Sequence, residues 1–425
     1  MESAKYFILV GALLFIMAIS PGMLKKLPIT SSVIYLLFGI LLGSHGFGIL
    51  SLDHLENAKA IELISELTVL ISLFTVGLKL RLDLTDRLWL LPLSLATLSM
   101  VLTISLIALL AHFFLGMGPG HAILLGAIIS PTDPVLASEV QLSDPNDRNL
   151  RKFVLTSEGG MNDGTAFPFV MLGLFIIGVE GQDWSLGQWV YKDLLWAIGS
   201  GLLIGVAWGI IVSKITAYIK VVRNSFYLED FLTISSIAVS YGIAIQVHGY
   251  GFLAVFANAL TIRQIELRRT IKRSEHPTQD LPDNVLSFNE QLERIFEVVS
   301  VGIVGLLIDF RTFSFDCVVV ALTTILLIRP VSVFAGTLFS RLNLRDKLFL
   351  SWFGVRGIGS VYYLFFSLNV GKLPGGGEAL TKYTLWTILF SIFIHGVSIK
   401  LILKRYGSKK QEASQSAVAR EAPEV

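Results

Sequence analysis

Residues 126–139 read GAIISPTDPVLASE, Gly126 to Glu139, and follow directly on the apolar run GHAILL of residues 120–125. The stretch begins as an apolar helix and then meets two prolines three positions apart, Pro131 and Pro134. Each proline removes a backbone donor and obstructs the turn before it. The helix is therefore expected to break partway, with Thr132 and Asp133 in the gap. If the segment lies in a membrane, broken backbone at that depth is tolerated only where it is buried in protein or lines a water-filled cavity. A simple proline kink in which Asp133 caps the second half is the plainer alternative.

The rest of the chain says that the segment does lie in a membrane. Of 425 residues, 53% are hydrophobic and only 16% charged, against about 25% charged in a soluble domain, and the mean hydropathy is +0.69. A spanning helix needs roughly 20 mostly apolar residues. On that criterion the chain holds about thirteen spans, near 6–22, 28–49, 61–79, 88–115, 120–140, 152–178, 188–218, 228–247, 250–262, 291–309, 316–339, 346–369 and 382–404. The ninth is about half the usual length. Lysine and arginine test the count independently. With the N-terminus outside, 26 of the 34 basic residues fall in inside loops or at inside span ends and six on the outside, leaving Arg329 and Arg356 deeper within spans. That alternation is the positive-inside pattern, and it sets the C-terminus in the cytoplasm. No cleavable signal peptide precedes the first span. The lone Cys317 excludes a disulfide framework and a cysteine metal cluster. The net charge of +2 gives no reason to invoke nucleic acid. The polar segment 263–290 reads as a solvated basic loop. The tail 406–425 reads as disordered, without a glycine-rich nucleotide fingerprint.

Removing the loops leaves a small set of buried polar groups: Asp133, Glu158, Asn162, Asp163, Arg329 and Arg356, with Glu62, Glu66, Asp309 and His395 more peripheral. A charge at a helix centre costs about 2.5–3.5 kcal/mol on insertion scales, so each must be paired, wet or functional. A second, softer break is read at SWFGVRGIGSVYY, residues 351–363, where Gly354, Gly357 and Gly359 flank Arg356. Close helix packing is the alternative use of these glycines. The break falls in span twelve, and the proline break in span five. If spans 1–6 and 8–13 are inverted repeats linked by span seven, the two positions correspond, and paired interruptions point to a transport site. Between them lies SEGGMNDGTAFP, residues 157–168. On a helix Glu158 and Asn162 are about 40° apart, whereas Asp163 is about 140° from Glu158. Glu158 is thus expected to neutralise Arg329 or Arg356. Asp163 is left as a free carboxylate able to hold a proton or a small hard cation.

Six motifs occur in order: SPTDPV (130–135), EGGMNDG (158–164), GFLAVFAN (251–258), LIRPVSV (327–333), VRGIGSVYY (355–363) and IHGVS (394–398). With them the chain resembles the monovalent cation:proton antiporter superfamily, specifically its NhaP-type sodium/proton exchangers, over residues 6–405. The resemblance implies an all-α, NhaA-like fold of about thirteen helices with an inverted repeat, interrupted helices 5 and 12, and a homodimer. It divides the chain into scaffold helices (1–87), core helices four to six (88–178), a linker and scaffold helices (188–309), core helices eleven to thirteen (316–405) and the tail. It puts cation and proton binding on Asp163, Asn162, Asp133 and Thr132, with Na⁺ held by Asp163 and Asp133. It puts an internal ion pair on Glu158 with Arg329 or Arg356. Glu66 is a further candidate for a cavity. Gly159 departs from the serine often found after that glutamate, so a hydroxyl ligand is missing. An Asn-Asp pair in place of two aspartates resembles the electroneutral, one-for-one branch.

The leading expectation is a secondary transporter exchanging Na⁺ for H⁺ in the plasma membrane of a prokaryote. It is not an enzyme and has no cofactor beyond the transported ions. K⁺ in place of Na⁺ is the nearest alternative. A ligand-gated potassium efflux system and a non-transporting sensor are more remote.

Overall fold

A computed structural model describes residues 29–50, 52–179, 185–223, 229–273, 281–370 and 375–421, with positions 11, 15 and 373 besides. The expected first span, 6–22, lies almost wholly outside the described residues. Spans two to thirteen are all helical, and no strand occurs among the described residues. Six helices are long and apolar enough to cross a membrane: Ala58–Lys79, Arg87–Leu115, Leu150–Ile177, Leu186–Ile219, Phe315–Gly336 and Gly377–Leu403. Two shorter apolar ones, Pro119–Ile129 and Ile358–Val370, are short for the reason the sequence suggested. They are single halves of the interrupted spans five and twelve.

Span five ends as a helix at Ile129, immediately before Ser130 and Pro131, and continues through turns into the 3₁₀ turn Ser138–Val140. Span twelve is a helix over Leu344–Trp352, unwinds over residues 353–357, and resumes over Ile358–Val370. Spans four and eleven also share a distortion. Each carries a π-helical turn, Leu95–Ser99 and Thr324–Ile328, and such turns concentrate at functional positions. The two spans meet there: Ser94 Oγ donates to Gly336 O at 2.7 Å and Ser99 Oγ to Ser332 O at 2.7 Å. The freed Ala96 carbonyl accepts from Thr165 Oγ1 at 2.6 Å, tying span four to span six.

Three polar stretches differ from the sequence reading. Span nine is a full helix, Gly251–Arg273, and the described residues of the expected loop 263–290 are helical, in that helix and in Leu281–Leu307. The cause lies in Arg263 and Gln264, both buried. Arg263 Nε donates to Leu78 O and Gln264 Nε2 to Leu82 O at 2.7 Å. They cap the end of Ala58–Lys79, so these polar groups face protein and not solvent. At the other end of the chain, the last helix runs on through Glu421, over the stretch expected to be disordered.

Spans two and ten cross backbone to backbone. A Cβ on Gly305 would collide with Leu36 O, and one on Gly39 with Gly302 O; a Cβ on Gly302 would meet nothing. Gly39→Ala is therefore expected to push the helices apart and cost about 1–3 kcal/mol. Gly302→Ala is expected to be neutral, or to stabilise by up to about 1 kcal/mol through helix propensity. Thermal unfolding of both variants in one detergent checks the contrast, and equal melting temperatures would contradict the packing described.

Candidate functional site

The two breaks cross, and each supplies what the other lacks. The Asp133 amide donates to Val355 O at 2.8 Å. Asp133 Oδ1 accepts from the Val135 and Leu136 amides at 2.8 and 3.3 Å, and Oδ2 accepts from the Ile358 amide. Ile358 is the first residue of the half-helix Ile358–Val370, where unsatisfied amides leave a partial positive charge. In the opposite direction, Arg356 Nη1 donates to Ser130 O, at the end of the half-helix Pro119–Ile129, where unsatisfied carbonyls are partly negative. Asp133 thus caps the start of one broken helix, and Arg356, from the other, caps the end of its partner.

Glu158 is fully buried and meets Arg329 in a two-pronged pair: Nη1 to Oε1 at 2.5 Å and Nη2 to Oε2 at 2.9 Å. Of the two partners open in the sequence, Arg329 holds this bond. The three glycines of span twelve each clear space for a charged side chain. A Cβ on Gly354 would lie 2.7 Å from Arg329 Nε, and one on Gly357 2.5 Å from Asp133 Oδ2. One on Gly359 would lie 3.0 Å from Asp163 Oδ1. Close packing is therefore their use, against Arg329, Asp133 and Asp163, and at Gly357 still more closely against Leu136 Cδ1.

Asn162 Nδ2 donates to Thr132 Oγ1 at 2.6 Å and to Thr132 O at 3.1 Å, while its Oδ1 is buried with no hydrogen-bond partner. Asp163 is 2% exposed. Tyr363 Oη donates to its main-chain carbonyl at 2.7 Å, but no backbone amide among the described residues donates to its carboxylate. Asp133 is saturated with amide donors; Asp163 is not. One turn along span six from Asp163 stands Phe167, which lines a cavity of about 820 Å³ together with Tyr362, Phe252, Tyr241, Glu62 and Glu66. Glu66 therefore does line a cavity, hydrogen-bonded by Tyr241 Oη. Phe252 and Tyr362 stack edge to face at 4.9 Å.

This pairing of crossed breaks with a buried Asn-Asp can be compared with known proteins. The model of the family described as sodium/hydrogen exchanger, transmembrane, matches residues 11–405. The chain belongs to that family. The K(+)/H(+) antiporter NhaP2 of Shewanella sp. (strain MR-4) is 26% identical over 408 residues, covering 94% of this chain and 66% of that protein. The Na(+)/H(+) antiporter NhaH of Halobacillus dabanensis is 25% identical over 306 residues, 70% of this chain and 71% of that one. The chain thus spans just under two thirds of the length of the NhaP2 relative. Among solved structures, the sodium proton antiporter MjNhaP1 from Methanocaldococcus jannaschii superposes with a TM-score of 0.73 at 18% identity, over 94% of this chain and 98% of that one. The fold is therefore that of MjNhaP1.

In this exchanger-family chain the sequence reading missed several groups. Glu293 and Glu297, inside span ten, accept from Ser72 Oγ at 2.8 Å and Ser32 Oγ at 2.6 Å. They sit four positions apart on one helix face, opposite serines of spans three and two; that spacing was the available signal. Tyr363 was visible only as part of a motif. His395, read as peripheral, is 1% exposed. Asp309, also read as peripheral, lies in the connection after the helix of span ten and pairs with Arg311 and His45. Arg311 holds its carboxyl down at about 2.

The Glu158–Arg329 pair makes a stability contrast testable. Glu158→Ala leaves Arg329 buried and without this carboxylate, at a cost of about 3–5 kcal/mol. Asp163→Ala removes no such partner. Melting temperatures in the same detergent should fall well below the unaltered protein for Glu158→Ala and remain close to it for Asp163→Ala; matching values for the two variants would refute the assignment.

Proposed function

We propose that this chain is a secondary transporter that exchanges Na⁺ for H⁺ one for one, with Asp163 as the carrier group. The observation that carries the reading is the charge balance of the buried site. Three carboxylates (Asp133, Glu158, Asp163) face two guanidiniums (Arg329, Arg356). Asp133 and Glu158 are engaged by helix-end amides and by Arg329. The one negative charge left over rests on Asp163, and a single proton or a single monovalent cation cancels it. The unpartnered Asn162 Oδ1 and the Thr132 hydroxyl supply neutral oxygens beside it, which suits a hard monovalent cation.

Proton and cation compete for one group, so exchange follows without a second titrating site. A proton leaves Asp163 as Na⁺ arrives, and the loaded, neutral site moves between the two sides. The bare carboxylate is costly to move through a low-dielectric barrier, which suppresses leak. Spans four to six and eleven to thirteen form the moving core in this reading, and spans one to three and eight to ten the scaffold of a homodimer. The charge pattern favours a plasma-membrane orientation with the N-terminus outside, which makes the Glu62–Glu66 cavity the outer approach. Phe167 and Tyr362 then close it above Asp163. K⁺ is the second reading, because the NhaP2 relatives are named K(+)/H(+) antiporters.

Everted vesicles carrying the chain, monitored with a pH-sensitive acridine dye, should show Na⁺-driven dequenching that Asp163→Asn abolishes. The isosteric amide cannot titrate. Dequenching by K⁺ alone would select the second reading. In liposomes clamped with a potassium ionophore the flux should not depend on imposed voltage; a strong dependence would exclude one-for-one exchange. Lower pH should raise the Na⁺ concentration for half-maximal flux, since protons compete for the same carboxylate.

A further inference from the structure

The flanking helices satisfy the Phe353 and Gly354 amides and the Gly357 carbonyl, and the other backbone groups of the unwound residues 353–357 need partners at membrane depth. Asp133 serves the Ile358 amide and the Val355 carbonyl. Span thirteen serves both ends of the unwound stretch from one face. Ser391 Oγ lies 2.7 Å from the Arg356 amide, which donates to it. His395, four residues further on, places Nε2 at 2.9 Å from Trp352 O, the last carbonyl of the helix Leu344–Trp352. Ser391 Oγ and His395 Nδ1 are 3.2 Å apart. Both residues are almost fully buried. A third contact, Trp352 Nε1 to Ser398 Oγ at 2.9 Å, lies one turn beyond.

Nδ1 faces two oxygens of Ser391, the carbonyl at 2.8 Å and the hydroxyl at 3.2 Å, and the protonation of the ring decides which of them it bonds. A carbonyl only accepts, so Nε2 carries a hydrogen toward Trp352. A neutral imidazole then presents Nδ1 as an acceptor. The Ser391 oxygen is already receiving the Arg356 amide, so its own hydrogen is free to point at Nδ1. With a neutral ring the bonds run one way, Arg356 amide to Ser391 hydroxyl to His395 ring to Trp352 carbonyl. The alternative is an imidazolium donating to Ser391 O, 2.8 Å from Nδ1. That would turn the serine hydroxyl away from the ring and bury a second cation beside Arg356, which is costly without a counter-charge.

We propose that Ser391 and His395 are positioning residues for cation exchange: their relay clasps the two ends of the break in span twelve and holds Arg356 against Ser130 and Gly357 against Asp133. Neither residue contacts Asp163. They act through the unwound stretch, whose position sets the distance between the crossing and the half-helix that carries Gly359 and Tyr363 to the carrier carboxylate. The proposal rests on the exchange reading above.

The test uses the full chain in liposomes, with flux normalised to folded transporter by fluorescence-detected size exclusion. Ser391→Ala and His395→Ala should each raise the apparent cation KM about tenfold, the factor expected from one lost buried hydrogen bond. The double variant should be no worse than either single one, because one relay is broken once. Ser391→Thr keeps the hydroxyl and should restore the KM. If His395→Ala does not fold, the Ala and Thr variants of Ser391 decide alone. A KM unchanged per folded molecule, with only the folded yield reduced, would mean a merely structural role and overturn the proposal, as would fully additive effects. Absence of exchange by the unaltered protein with Na⁺, K⁺ and Li⁺ would overturn the transport reading and the relay's role with it. Exchange that is the same in all variants would overturn the relay alone.

Discussion

Two helices that break within a membrane leave charged ends facing each other, and the structure depends on cancelling them. The end of Pro119–Ile129 presents carbonyls; the start of Ile358–Val370 presents amides. Both ends are buried in protein, where they need partners. Each break answers with a side chain for the other: Arg356 donates to Ser130 O, and Asp133 accepts from the Ile358 amide. The exchange of caps explains why a cation and an anion at these two positions are tolerated at such depth. Each neutralises a helix end as well as satisfying backbone.

Once the crossing is fixed, the remaining polar groups fall into place around it. Gly357 and Gly359 bring the backbone of span twelve beside Asp133 and Asp163. Two carboxylates from two different spans therefore share one short segment of a third. Glu158 and Arg329 form a self-contained pair next to it, and Gly354 gives the guanidinium its room. Asp163 is left as the buried carboxyl that no backbone amide and no guanidinium among the described residues engages. In the exchange proposed above, a proton or a monovalent cation would occupy it in turn.

Much of this was legible in the sequence. Two prolines three apart in an apolar run obstruct a helix, and the break expected there, with Asp133 in the gap, is present in the structure. The alternation of lysine and arginine fixed the span count, because one extra crossing would invert it. Other features were not legible. Polarity marked 263–290 as a loop, yet Arg263 and Gln264 turn inward to cap Leu78 and Leu82; a polar residue looks the same in sequence whether it meets water or a carbonyl. Glu293 and Glu297 were passed over because their serine partners lie more than 200 positions away in the chain.

The sequence by itself determined that the chain is an all-helical membrane protein with interruptions in spans five and twelve, and that a carboxylate at 163 stands in the membrane interior. Those follow from local physics: hydropathy, proline sterics and the cost of burying charge. Only the tertiary structure decided that Arg329 and not Arg356 clasps Glu158, that the three glycines make room for Arg329, Asp133 and Asp163, and that His395 sits at the break. Partner choice among several buried charges depends on distances between helices far apart in the chain, and helical periodicity fixes only the direction in which a side chain leaves its own helix.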